Sequence, residues 1–130
     1  MKYLLDSTVL IEFSKRKEPT TSRLLDLIAE DHLVGVCAVS IAEFYSGPVG
    51  DGPAMDRFID LLPCFEINRE VARIAGRYRF DFLQQGRKLS TTDMLIAAVA
   101  RAEGAVLLTN NVRDFPMKDI TVEQLGSPPA

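Results

Sequence analysis

Apolar and polar positions along the chain fall into blocks whose period changes several times. Lys2 to Leu5 is a short apolar run that ends at Asp6 and predicts a buried strand. Leu33 to Ala38 and Ala105 to Thr109 read the same way, with a brief strand over Phe65 to Ile67 and a short one near 120–123. Between these runs the period is helical. One helix is expected over 8–15, with Ser7 or Thr8 near its start. Another is expected over 22–32, where Leu24, Leu25, Leu27 and Ile28 recur at helical spacing. A third begins near Ser40 and stops near Gly47-Pro48, where glycine and proline mark a loop through residue 53. Pro53 suits the start of a fourth, through about Leu62. Asn68 caps a long helix closed by Gly86. Its apolar stripe is Val71, Ile74, Ala75, Tyr78 and Phe82, and Arg69, Arg73 and Arg77 lie on the opposite face. A last helix spans about 91–103, closed by Gly104. Continuous apolar strands separated by helices indicate an α/β domain whose parallel sheet is covered on both faces. The expectation is a single domain over residues 1–130, with a flexible tail from about 126.

Composition narrows the function classes. The chain has 130 residues, 47% hydrophobic and 25% charged, the mix of a soluble globular domain. No apolar run approaches the ~20 residues of a membrane span. The first apolar run is too short for a signal peptide, so a cytoplasmic protein is expected. Cys37 and Cys64 lie in apolar stretches without metal-type spacing and read as reduced core residues. His32 is the only histidine, which argues against a zinc site and a Ser-His-Asp hydrolase. Carboxylates remain as the candidate chemistry, and carboxylates alone suggest hard metal ions.

The net charge of −3 hides an asymmetry. Segment 69–101 has a balance of +4 and the rest of the chain −7. Arg69, Arg73, Arg77, Arg79, Arg87 and Lys88 therefore form either a solvated helix surface or a local basic face on an acidic protein.

Ligands of open α/β sheets bind beyond the carboxyl ends of the strands. Four acids fall there. Asp6 directly follows the first strand. Glu43 and Asp93 are expected in the first turns of two helices, and Asp114 lies in the loop after the last long strand. Each also has a structural reading. Ser40-x-x-Glu43 and Ser90-x-x-Asp93 match capping boxes, Asp6 can cap the first helix, and Asp114 can cap a loop turn. Asp6 resists that reading most, because an acid ending a buried strand needs a partner or a cation. Four acids at one edge repel one another unless Mg²⁺ or Mn²⁺ supplies the counter-charge. No P-loop and no G-x-G-x-x-G occurs.

Four segments together resemble a known family. Leu4-Leu5-Asp6-Ser7-Thr8-Val9-Leu10-Ile11 is similar to the opening motif of PIN-domain ribonucleases, and Ser40-Ile41-Ala42-Glu43-Phe44-Tyr45-Ser46-Gly47 to their second. Thr92-Asp93-Met94-Leu95-Ile96-Ala97-Ala98 is similar to the third, and Leu108-Thr109-Asn110-Asn111-Val112-Arg113-Asp114-Phe115 to the fourth. Their order and spacing resemble the VapC toxins of toxin–antitoxin pairs, over residue 2 to about 125. The resemblance implies a PIN-like three-layer α/β/α domain with a central parallel sheet of four to five strands. It implies an endoribonuclease that uses Mg²⁺ or Mn²⁺ to activate water against a backbone phosphate, leaving 5′-phosphate and 3′-hydroxyl ends. By motif matching, Asp6, Glu43 and Asp93 become the core acids, catalytic and metal-holding. Many relatives carry an acid where this chain has Asn111, and Asp114 can replace it. Thr8, Asn110 and Asn111 become supporting candidates around the metal. The resemblance also implies an RNA substrate (tRNA, rRNA or mRNA), a VapB-type antitoxin and a homodimer, for which Leu24, Leu25 and Ile28 offer either a dimer face or core packing. The acid pocket alone would repel RNA, so Arg69, Arg73, Arg77, Arg87 and Lys88 are the candidates to guide its phosphates.

Two other readings compete. A non-catalytic RNA- or partner-binding module of the same fold is expected to have lost a core acid, and all three remain. A phosphatase or receiver domain is weakened by Thr8, where a second aspartate is wanted, and by the absence of a placeable late lysine.

Overall fold

The computed structural model describes residues 1–126. The strands are Lys2–Leu5 (β1), Leu33–Cys37 (β2), Cys64–Phe65 (β3), Val106–Thr109 (β4) and Val122–Gln124 (β5). The helices are Ser7–Ser14 (α1), Thr20–Ala29 (α2), Ala38–Tyr45 (α3), Gly52–Leu61 (α4), Arg69–Gln84 (α5) and Thr91–Glu103 (α6), with a 3₁₀ turn at Val112–Asp114. The sheet is parallel at every pairing, in the order β3-β2-β1-β4-β5. Within it, Leu4 is level with Gly35 on one side and Leu107 on the other.

Both faces of the sheet are covered, which explains why its strands read as continuous apolar runs. Tyr3, Leu5, Val34, Val36, Val106 and Leu108 pack with Val9, Leu10, Leu24, Phe44, Met55 and Ile59 from α1, α2, α3 and α4. Leu4, Cys37, Phe65 and Leu107 face Val71, Ala75 and Tyr78 of α5 and Met94, Ala97 and Ala98 of α6. The three-layer α/β/α architecture expected from the sequence is present, with five strands.

Local signals set several helix ends. Asn68 Oδ1 accepts the Val71 N–H at 3.0 Å, and Ser90 Oγ accepts the Asp93 N–H at 3.1 Å. Gly104 ends α6 in the left-handed region, at φ +62°.

Two expectations change, one open alternative divides between its residues, and one expectation lies mostly outside the described residues. The Ser40-x-x-Glu43 capping box does not form. α3 starts at Ala38, after extended Cys37, so Glu43 sits in its second turn; Ser40 is buried, with its hydroxyl 3.5 Å from Cys37 Sγ. Cys64 is exposed, because β3 is a two-residue edge strand, while Cys37 is buried. Leu24 is core, whereas Leu25 and Ile28 are exposed on the outer side of α2. The expected tail from about 126 falls mostly on 127–130, outside the described residues, but Gly126 itself is buried and hydrogen-bonded to Asn110. Among the described residues, no helix is long and apolar enough to cross a membrane.

Candidate functional site

The strand order places the site. From β1 the chain steps to β2 and β3 on one side, while β4 and β5 lie on the other. The β1/β4 boundary is thus the switch point of the sheet, where the connections diverge and leave a crevice at the carboxyl ends. Asp6 follows β1 directly, and its backbone N–H donates to Leu108 O at 2.9 Å, extending the β1–β4 ladder. α3 brings Glu43 to this edge, and the first turn of α6 brings Asp93.

These three acids converge. Asp6, Glu43 and Asp93 each offer a carboxylate oxygen, and the three atoms lie within 4.8 Å of one another. Asp6 is 2% exposed. It does not cap α1 with its side chain, as the structural reading allowed. Its Oδ2 instead accepts hydrogen bonds from Thr8 Oγ1 and Thr109 Oγ1, both at 2.8 Å. Ser7 Oγ donates to Glu43 Oε1 at 3.1 Å. Hydroxyls thus hold one oxygen of each of these two acids.

The electrostatics of the cluster point to a cation. Partial burial pushes the Asp93 carboxyl up from 3.8 to about 6. The hydrogen bond from Ser90 opposes that rise, and the charges of Asp6, Asp114 and Glu43 add to it. Asp6 Oδ1 is buried without a hydrogen-bond partner. A buried carboxylate oxygen with no donor is costly unless something positive meets it. A set of oxygen donors free of nitrogen and sulfur suits a hard divalent ion. The residues present therefore fit Mg²⁺ or Mn²⁺.

The remaining candidates separate. Asp114 lies outside the three-acid group; Asn111 Nδ2 donates to its Oδ2, and its charge still reaches Asp93. The Asn110 side chain turns away to Thr20 and Gly126, and its backbone N–H donates to Thr8 Oγ1 at 3.0 Å. Arg69, Arg73, Arg77, Arg87 and Lys88 are exposed, and among the described residues none forms an ion pair. Arg87 Nη2 donates to Arg113 O at 2.7 Å, which ties the α5–α6 loop to the 3₁₀ turn carrying Asp114. Arg69 opens the 16-residue α5 and lies about 24 Å along the helix from that loop. Arg79 is half-buried and bonded to Leu89 O. One participant, and one exposed aromatic near the basic face, escape sequence reasoning. Thr109 is a polar residue ending a buried strand, the same signal that marked Asp6. Phe80, 55% exposed, borders a surface cleft with Arg73, Gly76 and Arg77.

Comparison with known proteins places this geometry in a family. The PIN domain model matches residues 3–120. The chain belongs to the PIN domain family. Among characterised PIN domain relatives, ribonuclease VapC2 of Rickettsia felis is 25% identical, with 88% of this chain and 90% of the relative covered. Ribonuclease VapC2 of Haemophilus influenzae is 27% identical over the same shares. The crystal structure of VapBC2 from Rickettsia felis bound to a promoter DNA fragment contains a chain of the same fold. It aligns with a TM-score of 0.81 at 23% identity, covering 95% of this chain and 98% of that one.

Proposed function

We propose that this PIN domain is a metal-dependent endoribonuclease, the toxin of a toxin–antitoxin pair. The observation that carries the reading is the convergence of Asp6, Glu43 and Asp93, together with the buried, unpartnered Asp6 Oδ1. The family, the ribonuclease relatives and the VapBC complex of the same fold support it. The functional unit is one PIN domain spanning the chain, acting in the cytoplasm where its RNA is found.

Asp6, Glu43 and Asp93 hold Mg²⁺ or Mn²⁺, with Asp114 bordering the pocket through Asn111. The ion supplies a Lewis acid and an activated water for hydrolysis of a phosphodiester bond. Ser7, Thr8 and Thr109 hold the carboxylates in place, Ser7 by donating to Glu43 Oε1 and the two threonines by donating to Asp6 Oδ2. Arg87 and Lys88 lie between α5 and Asp93, where they meet RNA phosphates next to the acids, and Arg69, Arg73 and Arg77 extend that guidance along α5. The neutralising partner is a VapB-type antitoxin, and the toxin is a homodimer.

The test is cleavage of total RNA by the purified chain, freed of any co-purified protein, with Mg²⁺, Mn²⁺ or EDTA. Discrete products with 5′-phosphate ends are expected with either metal. They are expected to vanish in EDTA and in Asp6→Asn/Asp93→Asn. Cleavage that continues in EDTA, or in that variant at the wild-type rate, overturns the reading.

A further inference from the structure

We propose that Gly126 and Asn110 form a latch that positions Asp6 for the metal, so that the end of the chain tunes the pocket. The proposal rests on the reading of the acid pocket as a metal site. It starts from how Asp6 is held. Thr8 Oγ1 and Thr109 Oγ1 both donate to Asp6 Oδ2 at 2.8 Å. Each hydroxyl also accepts a backbone N–H at 3.0 Å, Thr8 from Asn110 and Thr109 from Asn111. A hydroxyl has one proton to give. The incoming N–H groups orient the two hydroxyls, which stand 3.3 Å apart and each donate to Asp6 Oδ2, leaving Oδ1 as the oxygen of the carboxylate without a partner. Two consecutive N–H groups of segment 110–111 thus fix the orientation of Asp6.

Segment 110–111 is fixed in turn from the far end of the chain. Asn110 Oδ1 accepts the Gly126 N–H at 2.6 Å, and Asn110 Nδ2 reaches Thr20 Oγ1 at 3.4 Å. Thr20 Oγ1 donates to Glu12 Oε1 at 2.6 Å, joining the last turn of α1 and the start of α2 to the same network. Arg23 Nη1 holds Leu125 O at 2.9 Å and draws the segment onto α2. Gly126 closes against all three side chains. A Cβ built there lies 2.5 Å from Glu12 Oε1 and 2.9 Å from Asn110 Nδ2, and meets Thr20 Oγ1 as well. A side chain at this position must push Thr20, Glu12 or Asn110 aside or lift the segment. Displacing Asn110 moves the N–H groups that order Thr8 and Thr109. Gly126 and Asn110 are therefore positioning residues: they touch no substrate and act through two hydroxyls on Asp6.

The test is Mn²⁺ binding to the full chain by calorimetry, with no RNA present. Gly126→Ala is expected to bind Mn²⁺ about tenfold more weakly, the scale of losing a partner that orients a metal ligand. Cleavage by this variant is expected to recover as Mn²⁺ is raised, so the metal concentration for half-maximal rate moves more than the limiting rate. Val71→Ala, a core truncation at the start of α5, is the control: it lowers the melting temperature and leaves Mn²⁺ affinity unchanged. If Gly126→Ala does not fold, Thr20→Val replaces it, removing one hydroxyl of the latch at constant shape, with a loss of about threefold. Wild-type affinity in a folded latch variant, beside lost binding in Asp6→Asn, overturns the latch alone. Wild-type affinity in Asp6→Asn overturns the pocket and the latch with it. An equal loss in Val71→Ala also overturns the latch, because general destabilisation then accounts for the effect.

Discussion

The acid pocket and the arginine face of α5 are both clusters of like charge, yet they are built in opposite ways. The pocket gathers Asp6, Glu43 and Asp93 from three distant segments and sets their oxygens within 4.8 Å of one another. The arginines come from one helix, a turn apart, and stand in water, where repulsion between them is weak. The pocket is strained without a cation, as the raised Asp93 carboxyl and the unpartnered Asp6 Oδ1 indicate. The arginine face needs no counter-ion to persist. Gathering like charge in a partly buried pocket is therefore costly to the fold, whereas spreading it along an exposed helix is nearly free of cost and its residues can change singly.

The largest expected effect follows from removing a charge that the pocket cannot replace. In Asp6→Asn the amide oxygen can still accept from Thr8 and Thr109, so the fold is kept. The amide nitrogen then faces the cluster where an anionic oxygen belongs. RNA cleavage is expected to fall by about a thousandfold, the scale of several kcal/mol of lost metal-assisted stabilisation. Asp114→Asn is expected to cost about tenfold, since Asp114 acts from outside the three-acid group. Single-turnover rates at saturating Mg²⁺ compare the two. Equal losses would make Asp114 a full member of the pocket and dissolve the distinction drawn here.

The arginine face should behave as the cheap partner. With catalysis blocked by Asp6→Asn, RNA affinity measured across a salt series reports phosphate contacts. Arg87→Ala/Lys88→Ala is expected to reduce the slope of log affinity against log salt by about 1.4, from two single-strand contacts. Arg69→Ala, at the far end of α5, is expected to change the slope by less than either pocket-side residue. Phe80 beside Arg73 and Arg77 offers an aromatic face on which a base would stack if RNA follows this helix. A slope unchanged in Arg87→Ala/Lys88→Ala would remove the pocket-side guidance.

The same contrast explains what was legible in the sequence. The arginine face was readable because helical period is a local property. Asp6 was readable because an acid ending a buried strand is locally anomalous. Glu43 was found as a residue but placed in the wrong turn, since extended Cys37 lets α3 begin two residues before the serine expected to cap it. Thr109 and Gly126 make contacts that cross the chain. Thr109 meets Asp6 over 103 residues of sequence, and no pattern within one element announces that. Cys64 misled for the reverse reason: its neighbours are apolar, but a two-residue edge strand leaves one side uncovered.

The smallest effect isolates the electrostatic cost of the empty pocket. Asp93 titrates near 3.8 when unfolded and about 6 in the metal-free fold. Below about pH 4 the carboxyl is protonated in both states and costs the fold nothing. Between about 4 and 6 the unfolded chain releases its proton while the native state retains it, so native stability falls with rising pH. Above about 6 the full cost is present. Asp93 keeps contact with solvent, so screening reduces that cost to about 1 kcal/mol. In EDTA, Asp93→Asn is therefore expected to be more stable than the parent by this amount at pH 7.5, and equal to it near pH 4. Urea denaturation at several pH values measures the difference. Excess Mn²⁺ should reverse the order at pH 7.5, because the ion stabilises only the chain that binds it. An Asp93→Asn chain no more stable than its parent in EDTA at pH 7.5 would mean that the acids coexist without strain, and the contrast with the arginine face would lose its basis.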